Sequence, residues 1–444
     1  MVILPEKVKY IIDTLERHGF EAYAVGGCVR DSILGREPMD WDITTSALPE
    51  EVKKLFKRTI DTGIQHGTVT IMMDKEGFEV TTYRLDGDYD DGRHPKEVTF
   101  TSSITEDLKR RDFTINAMAY NDREGLVDKF DGRGDLERKV IRCVGDPKER
   151  FSEDALRMMR AVRFAAQLGF SIDEETKNAI GLMSNTLSKV SAERIQVELS
   201  KLIASSHPEE MRTLYETGLT KVMLPEFDEL MCTEQNTPHH SYTVGEHTII
   251  AMCNIRADLK LRLTMLLHDI AKPDKKTTDK NGRDHFYGHP EAGETKAKQI
   301  LRRLKYDNDT IKYVCRLIRY HDYKPEINPI SVRRTISEIG EEYYPDIFEV
   351  YTADRMAQSL YKREEKLAYI EKYRQLYQKI INDGDCLIIK DLAINGKDLM
   401  ALGIPQGAGI GEMLAKCLDA VLDNPKMNTR DELLSFVKNS LKEG

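Results

Sequence analysis

The chain has 444 residues, 32% of them charged and 40% hydrophobic, with a formal net charge of −9. That length exceeds one ordinary core and predicts about two to four domains, while no apolar run reaches the ~18 residues needed to span a bilayer. The acidic balance taken alone argues against nucleic acid, but the acidic excess lies in the first half and the second half carries basic stretches such as KAKQILRRLK (296–305).

In chain order, EKVKYIIDTLERHG has the apolar spacing of an amphipathic helix that stops at Gly19. EAYAVGG reads as a strand entering a turn, and MDWDITT, GTVTIMMD and FEVTTYR as short strands rich in β-branched and aromatic residues. DGDYDDGRHPKEV is polar and Gly-containing and predicts a mobile loop before TINAMAY. From about Phe151 strands largely disappear. SEDALRMMRAVRFAAQLG predicts a helix with Ser152 as its N-cap, and SAERIQVELSKLIAS predicts another. The fold class is therefore α+β, a mixed head followed by a long helical remainder, with a linker at 224–240 and a further break near INDGD. The seven cysteines form no CxxC pair, and MVILPEKVKY lacks the pattern of a secretory signal; both predict a reducing, cytoplasmic setting.

The first chemical signal is YAVGGCVRDSILGREPMDWDIT. On a strand Asp40 and Asp42 point the same way, and two such charges repel unless a cation lies between them. Carboxylates are hard ligands suited to Mg²⁺, which binds through one or two of them plus substrate phosphates. Glu79 on the neighbouring predicted strand offers a third carboxylate. Trp41, on the opposite face, is expected to anchor the strand in the core. Gly26 and Gly27 allow backbone amides close to a phosphate, and Arg30 adds charge there.

The second signal is on the helix after Ser152. Asp154 and Arg157 are three residues apart, with Arg160 and Arg163 continuing the row. A carboxylate accepts from the exocyclic amine of C or A, and an arginine donates to the adjacent ring nitrogen. G and U present the reverse pattern and would leave both groups unpaired, at about 1–3 kcal/mol each. From this helix alone an exposed i,i+3 ion pair is the plainer reading.

Together GGCVRD, DWD, GRHP, RRDFTINAMAY, DGRGDL, EDALRMMRAVRF and SAERIQVELSKLI resemble the class II tRNA nucleotidyltransferases, the CCA-adding and poly(A) polymerase family. The resemblance implies a polymerase-beta-like nucleotidyltransferase head (1–150), a helical neck with nucleotide-selecting and RNA-binding helices (151–237) and a helical tail (371–444) that contacts tRNA. It implies that Asp40 and Asp42, with Glu79, hold catalytic Mg²⁺, and that Gly27 and Arg30 contact the incoming triphosphate. Arg111 would act near the sugar or phosphates. Asp154 and Arg157 would select CTP or ATP, supported by Arg160 and Arg163. The implied reaction adds C, C and A to the 3′ acceptor end of tRNA and releases pyrophosphate. An A-adding enzyme or a poly(A) polymerase stays open; the complete loop through Asp86–Lys96 speaks against a CC-only enzyme.

The region 238–370 gathers most of the histidines. His247, the adjacent pair His268–Asp269, and Asp354 follow the order H…HD…D, which resembles the HD phosphohydrolase superfamily. That resemblance implies one metal on these four residues, with His289 and His321 for a second, and a transition metal such as Mn²⁺, Ni²⁺ or Fe. It implies phosphatase or cyclic phosphodiesterase activity. The alternative from a different class is an HD hydrolase whose head only senses nucleotides.

Overall fold

The computed structural model describes residues 2–86 and 98–443. The predicted loop falls on 86–98, so nearly all of it lies outside the described residues. The chain forms two compact units, Met1–Asp228 with Arg303–Lys305, and Glu229–Arg302 with Tyr306–Gly444.

The first unit is built on a seven-stranded mixed sheet. Its strands are β1 (Ala22–Val25), β2 (Ile43–Thr45), β3 (Thr59–Gly63), β4 (Thr68–Met73), β5 (Glu76–Thr82), β6 (Met118–Asn121) and β7 (Gly125–Asp128), in the order β3-β4-β5-β2-β1-β6-β7. β2 pairs antiparallel with β1 and parallel with β5 in the register Ile43↔Val80. Helix Glu6–Arg17 packs through buried Val8, Ile11, Ile12 and Leu15, the face its sequence spacing predicts. A separate two-stranded pair, Arg84–Asp86 with Val98–Phe100, brackets the undescribed segment.

Four expectations need correction. MDWDITT is not a strand throughout: only Ile43–Thr45 pairs, and Met39 to Asp42 form the approach to it. Nor does Trp41 enter the core; it is half-buried in a cleft wall. The helix expected from Ser152 is two helices, Pro147–Glu153 and Leu156–Leu168, broken at Asp154, whose φ of −146° and ψ of 104° are extended. Ser152 lies in the last turn of the first helix, where its hydroxyl donates to the Glu149 carbonyl, so it caps nothing.

Leu156–Leu168 packs on Ala192–Ile203, and between them Arg163 Nε donates to Glu198 Oε2 at 2.6 Å with both side chains buried. The Arg163 guanidinium also lies 3.6 Å over the Phe164 ring.

The second unit is helical. Val244–Cys253, Leu259–Leu267, Asn308–Tyr320 and Tyr344–Ala357 pack together, and Arg363–Asn382 lies against Tyr344–Ala357 through a cluster of Tyr344, Phe348, Tyr373 and Tyr377. The C-terminal helices Ala408–Asp423 and Arg430–Glu443 share a core of Cys417, Val421, Leu433 and Val437. Among the described residues no helix is long and apolar enough to cross a membrane.

The Arg163–Glu198 pair generates a stability prediction. Glu198→Ala leaves a charged guanidinium buried and is expected to cost about 3–5 kcal/mol, whereas Glu198→Gln keeps a hydrogen bond and costs less. Trp41, the single tryptophan, reports on this unit, so its fluorescence in a urea titration reads the loss. Coincident midpoints for the wild type and both variants would show that the pair adds nothing.

Candidate functional site

Asp40, Trp41, Asp42 and Glu79 line one cleft of about 1010 Å³ in the first unit. The sheet produces this convergence: the parallel register Ile43↔Val80, continued one residue back, sets Asp42 beside Glu79. Asp42 also anchors the approach segment, its carbonyl accepting from the Val25 amide at 2.9 Å. Partial desolvation in the cleft and the neighbouring carboxylates push the Glu79 carboxyl up, and desolvation does the same to Asp42, with Arg111 opposing and Asp40 adding to it, while both side chains stay open to solvent. The cleft thus gathers negative charge that the chain itself only partly offsets. An all-oxygen donor set of this kind fits a hard divalent cation.

The turn at the mouth of β1 needs its glycine. Gly26 has φ +82°, and a Cβ there would meet Arg111 Nη1 at 3.1 Å. Arg30 follows on the short helix Gly27–Ile33, but it is buried and engaged, donating to Asp31 at 2.9 Å and to Asn116 Oδ1 at 2.7 Å. Arg111 is different. It leans on Asp107 at 3.4 Å, and its buried Nε has no partner among the described residues. Asp107 is itself fully buried; burial alone would raise its carboxyl, and Arg111 and Arg110 outweigh that and lower it. Asp107 therefore positions Arg111 beside the glycine turn, an arrangement the sequence motifs do not reveal.

The structure also rearranges the second signal. Asp154 and Arg157 are not an ion pair on an open helix face. Asp154 takes both arms of Arg194, at 3.2 and 2.7 Å, and its Oδ1 accepts the Leu156 amide at 3.0 Å. Arg157 donates to Glu153, to the Arg150 carbonyl at 3.1 Å and to the Arg110 carbonyl at 3.2 Å. Arg160 holds Asp112 at 2.6 and 2.8 Å. Arg163 is turned into the Glu198 pair, so the expectation that it supports a base or phosphate gives way to an interior, positioning place. Arg194 went unnoticed in the sequence because its partner is forty residues away.

In the second unit six side chains meet in the interior. His247, His268 and Asp354 place ligand atoms within 4.8 Å of one another, as do Asp269, His289 and His321. Nε2 of His247 is 3.2 Å from Nε2 of His268 and 3.0 Å from Asp354 Oδ1; Nε2 of His289 is 3.2 Å from Nε2 of His321. Asp269 lies between the two groups, with Oδ2 at 3.2 Å from His268 and Oδ1 at 3.4 Å from His289. Each ring turns its other nitrogen to a backbone carbonyl, of Ala357, Met265, Phe286 and Ile318 respectively, at 2.7–3.3 Å. A carbonyl only accepts, so Nδ1 carries a proton in each ring and Nε2 is the nitrogen that faces inward. Asp269 accepts no hydrogen bond of good geometry, although Lys272 Nζ lies 2.7 Å from its Oδ2. Burial opposes ionisation of both carboxyls; His268 and Lys272 outweigh it at Asp269, and Arg355 and His247 at Asp354, so both lie well below the usual range. Converging imidazole and carboxylate donors fit a borderline transition metal. Two residues join that the sequence left without a role: Lys272, and His240, packed 5.1 Å from His247 and pushed down to about 2 by burial with Lys272 and His247 nearby.

Residues 22–142 match the poly A polymerase head domain, 169–231 the probable RNA and SrmB-binding site of polymerase A, and 289–437 the putative tRNA nucleotidyltransferase domain 2. The CCA-adding enzyme of Lactiplantibacillus plantarum is 37% identical over 434 residues, covering 98% of this chain and 96% of its own. That of Enterococcus faecalis is 34% identical over 442 residues, covering 98% and 96%. The chain belongs to the CCA-adding enzyme family. The crystal structure of the Bacillus stearothermophilus CCA-adding enzyme in complex with CTP superposes with a TM-score of 0.71 at 28% identity, covering 99% of each chain. The fold is also that of the Thermotoga maritima CCA-adding enzyme, with a TM-score of 0.62, 22% identity, and coverage of 99% of this chain and 97% of that one.

Membership makes the head that of a nucleotidyltransferase, which implies dependence on a divalent metal. His247, His268 and Asp269 fall outside all three matched segments.

The raised carboxyls give a signed prediction. A carboxyl raised in the folded state favours folding at low pH, and that contribution is lost as pH rises through the folded value. Without divalent ions Asp42→Asn should therefore raise the melting temperature near pH 8 more than near pH 4. Added Mg²⁺ should stabilise the wild type and not the variant. Scanning calorimetry at both pH values checks this; an Mg²⁺ shift that persists in Asp42→Asn would remove Asp42 from the metal set.

Proposed function

We propose that the chain adds C, C and A, from CTP and ATP, to the 3′ end of tRNA in the cytoplasm. The observation that carries this reading is the placement of Asp40, Asp42 and Glu79 in one cleft of a family-typical head, with a pre-set acceptor and donor pair, Asp154 and Arg157, in the same unit. In this reading Asp40, Asp42 and Glu79 hold Mg²⁺, which supplies Lewis-acid activation of the attacking 3′ hydroxyl and charge neutralisation on the departing pyrophosphate. Gly26 and Gly27 let the backbone approach the triphosphate, and Arg111 beside the turn adds positive charge there. Arg30 holds the turn through Asp31 and Asn116.

Base choice follows from hydrogen-bond polarity. Asp154, held by both arms of Arg194, presents acceptor oxygens, so it suits the exocyclic amine of C or A and opposes the carbonyl of G or U. Arg157 donates to the ring nitrogen beside it. Arg194 touches no base in this scheme; it fixes the direction in which Asp154 presents its oxygens.

For the second unit the reading is a two-metal HD centre, with His247, His268, Asp269 and Asp354 around one ion and His289 and His321, sharing Asp269, around the other. The favouring observation is the convergence of four imidazole Nε2 atoms with the Asp269 and Asp354 carboxylates. Such ions would supply an activated water for phosphoester hydrolysis, and Lys272 would hold Asp269 in place.

The decisive assay sizes the products on a tRNA lacking its 3′ terminus, with Mg²⁺ and single or paired nucleotides. Three added residues that need both CTP and ATP are expected. A lone A, or a long ATP ladder, would replace the reading with A-adding or poly(A) synthesis. Arg194→Ala should raise UTP use relative to CTP by about tenfold or more, one lost charged hydrogen bond being ~1.5–3 kcal/mol, with partial recovery in Arg194→Lys. In an Asp154→Ala background it should add nothing, whereas a purely structural role would lower all four nucleotides alike. For the HD centre, metal analysis of purified protein is expected to find about two ions per chain beyond the head's Mg²⁺, falling when His268 and His321 are replaced by alanine. Equal metal content in wild type and variants would sink the dinuclear assignment.

A further inference from the structure

A second cavity of about 230 Å³ lies in the helical unit, between Tyr344–Ala357, Arg363–Asn382 and the segment after Asn308–Tyr320. Its lining is aromatic and apolar within: Tyr323, Tyr351, Tyr369 and Ile370. Its outer lining carries Lys324, paired with Asp322 at 3.0 Å, Lys362, paired with Glu365 at 3.5 Å, and Lys366; Arg355 lies inside on Asp322 and Asp354. Tyr351 is only 3% exposed, and its hydroxyl has no hydrogen-bond partner among the described residues. Tyr369, by contrast, is satisfied, donating to the Pro325 carbonyl at 2.5 Å.

These features select a ligand class. A cavity with tyrosines on several sides suits an aromatic ring. Lysines at its rim suit a phosphate. An uncharged aromatic would leave the lysines unused, and inorganic phosphate would leave the aromatic lining unused.

We propose that this tyrosine cavity binds the base of a nucleotide whose phosphate rests on the lysine rim. Lys366 supports the direction of the phosphate: it donates to Gln358 Oε1 at 2.7 Å and lies 3.1 Å from His239 Nδ1, and His239 and Tyr323 also line the cleft that leads to His289. Burial, with Arg355 nearby, pushes the Lys366 ammonium down to about 8, the behaviour of a cation short of anionic partners. The same chemistry is presented by a free mononucleotide and by the terminal nucleotide of an RNA. The proposal goes beyond CCA addition and does not require the histidine cluster to hydrolyse anything.

The test is photo-cross-linking of the full chain with 8-azido-AMP in EDTA, which removes metal from the head and from the histidine cluster, followed by peptide mapping. An adduct is expected on peptides carrying Tyr323, Tyr351 or Tyr369, competed by AMP and not by ribose 5-phosphate. Tyr323→Ala and Lys366→Gln, both at the open side of the cavity, should each weaken it about five- to tenfold, the scale of one lost stack, and leave any head adduct unchanged. Competition by a CCA-ended tRNA below the AMP concentration would assign the site to an RNA end, and competition by AMP alone to a free nucleotide. Adducts confined to head peptides, no adduct, equal competition by ribose 5-phosphate, or indifference to both substitutions would each overturn the proposal. None of these outcomes bears on nucleotide addition, which is read separately by product length.

Discussion

The structure turns on charge that converges without being cancelled. In the head, three carboxylates share a cleft where partial desolvation and their mutual fields disfavour ionisation at Asp42 and Glu79. The sheet cannot avoid this: once β2 runs parallel to β5, the residue before Ile43 must lie beside the residue before Val80. The fold holds Asp42 and Glu79 together because the hydrophobic strand cores of β2 and β5 fix the register, and the cost is recovered when a cation enters. The glycine turn, Arg111 and Asp107 are arranged around that same point, and they supply the complementary positive end of the site.

A second layer sets the direction of the groups that would read a base. Asp154 sits in a break between helices, which frees its backbone from helical geometry and lets Arg194 and the Leu156 amide grip the carboxylate from different sides. Arg157 is braced by two backbone carbonyls and Glu153. Groups fixed in this way reject a wrong base by leaving themselves unpaired, since they cannot turn to accommodate it. Arg160 on Asp112 and Arg163 on Glu198 tie the same helix to its neighbours, so the reading edge is carried by a rigid element.

Much of this was legible in the sequence, for reasons that differ by residue. Asp40 and Asp42 were readable because a period of two is a local property, and it survives even though the segment is an approach to a strand and not a strand. The helix Glu6–Arg17 was readable because its apolar spacing and its stop are local. The break at Asp154 was not, because ALRMM has good helix formers throughout, and the extended conformation at Asp154 is held by the Leu156 amide together with the tertiary grip of Arg194. Trp41 was misplaced because alternation assigns a face, and a cleft has two walls with no core behind one of them. Arg194, Asp107 and Lys272 escaped because each acts through a partner whose nearness depends on the fold or, for Lys272, on a helix end whose burial the sequence does not state.

The two sites also differ in kind, and that difference constrains how they can coexist. The head offers oxygen donors in an open cleft, whereas the histidine cluster offers four nitrogen donors in a closed interior with Asp269 between them. Hard and borderline cations partition between such sets by ligand chemistry, so one chain can carry both without either stripping the other. The imidazoles hold their inward aim through four separate backbone carbonyls, none from a neighbouring cluster residue. Their geometry is therefore set by the helices Val244–Cys253, Leu259–Leu267, His289–Arg303 and Asn308–Tyr320 and by the end of Tyr344–Ala357. A helical body serving only as a scaffold would gain stability by filling this interior with apolar side chains; the proposed metals would pair the polar groups found there instead.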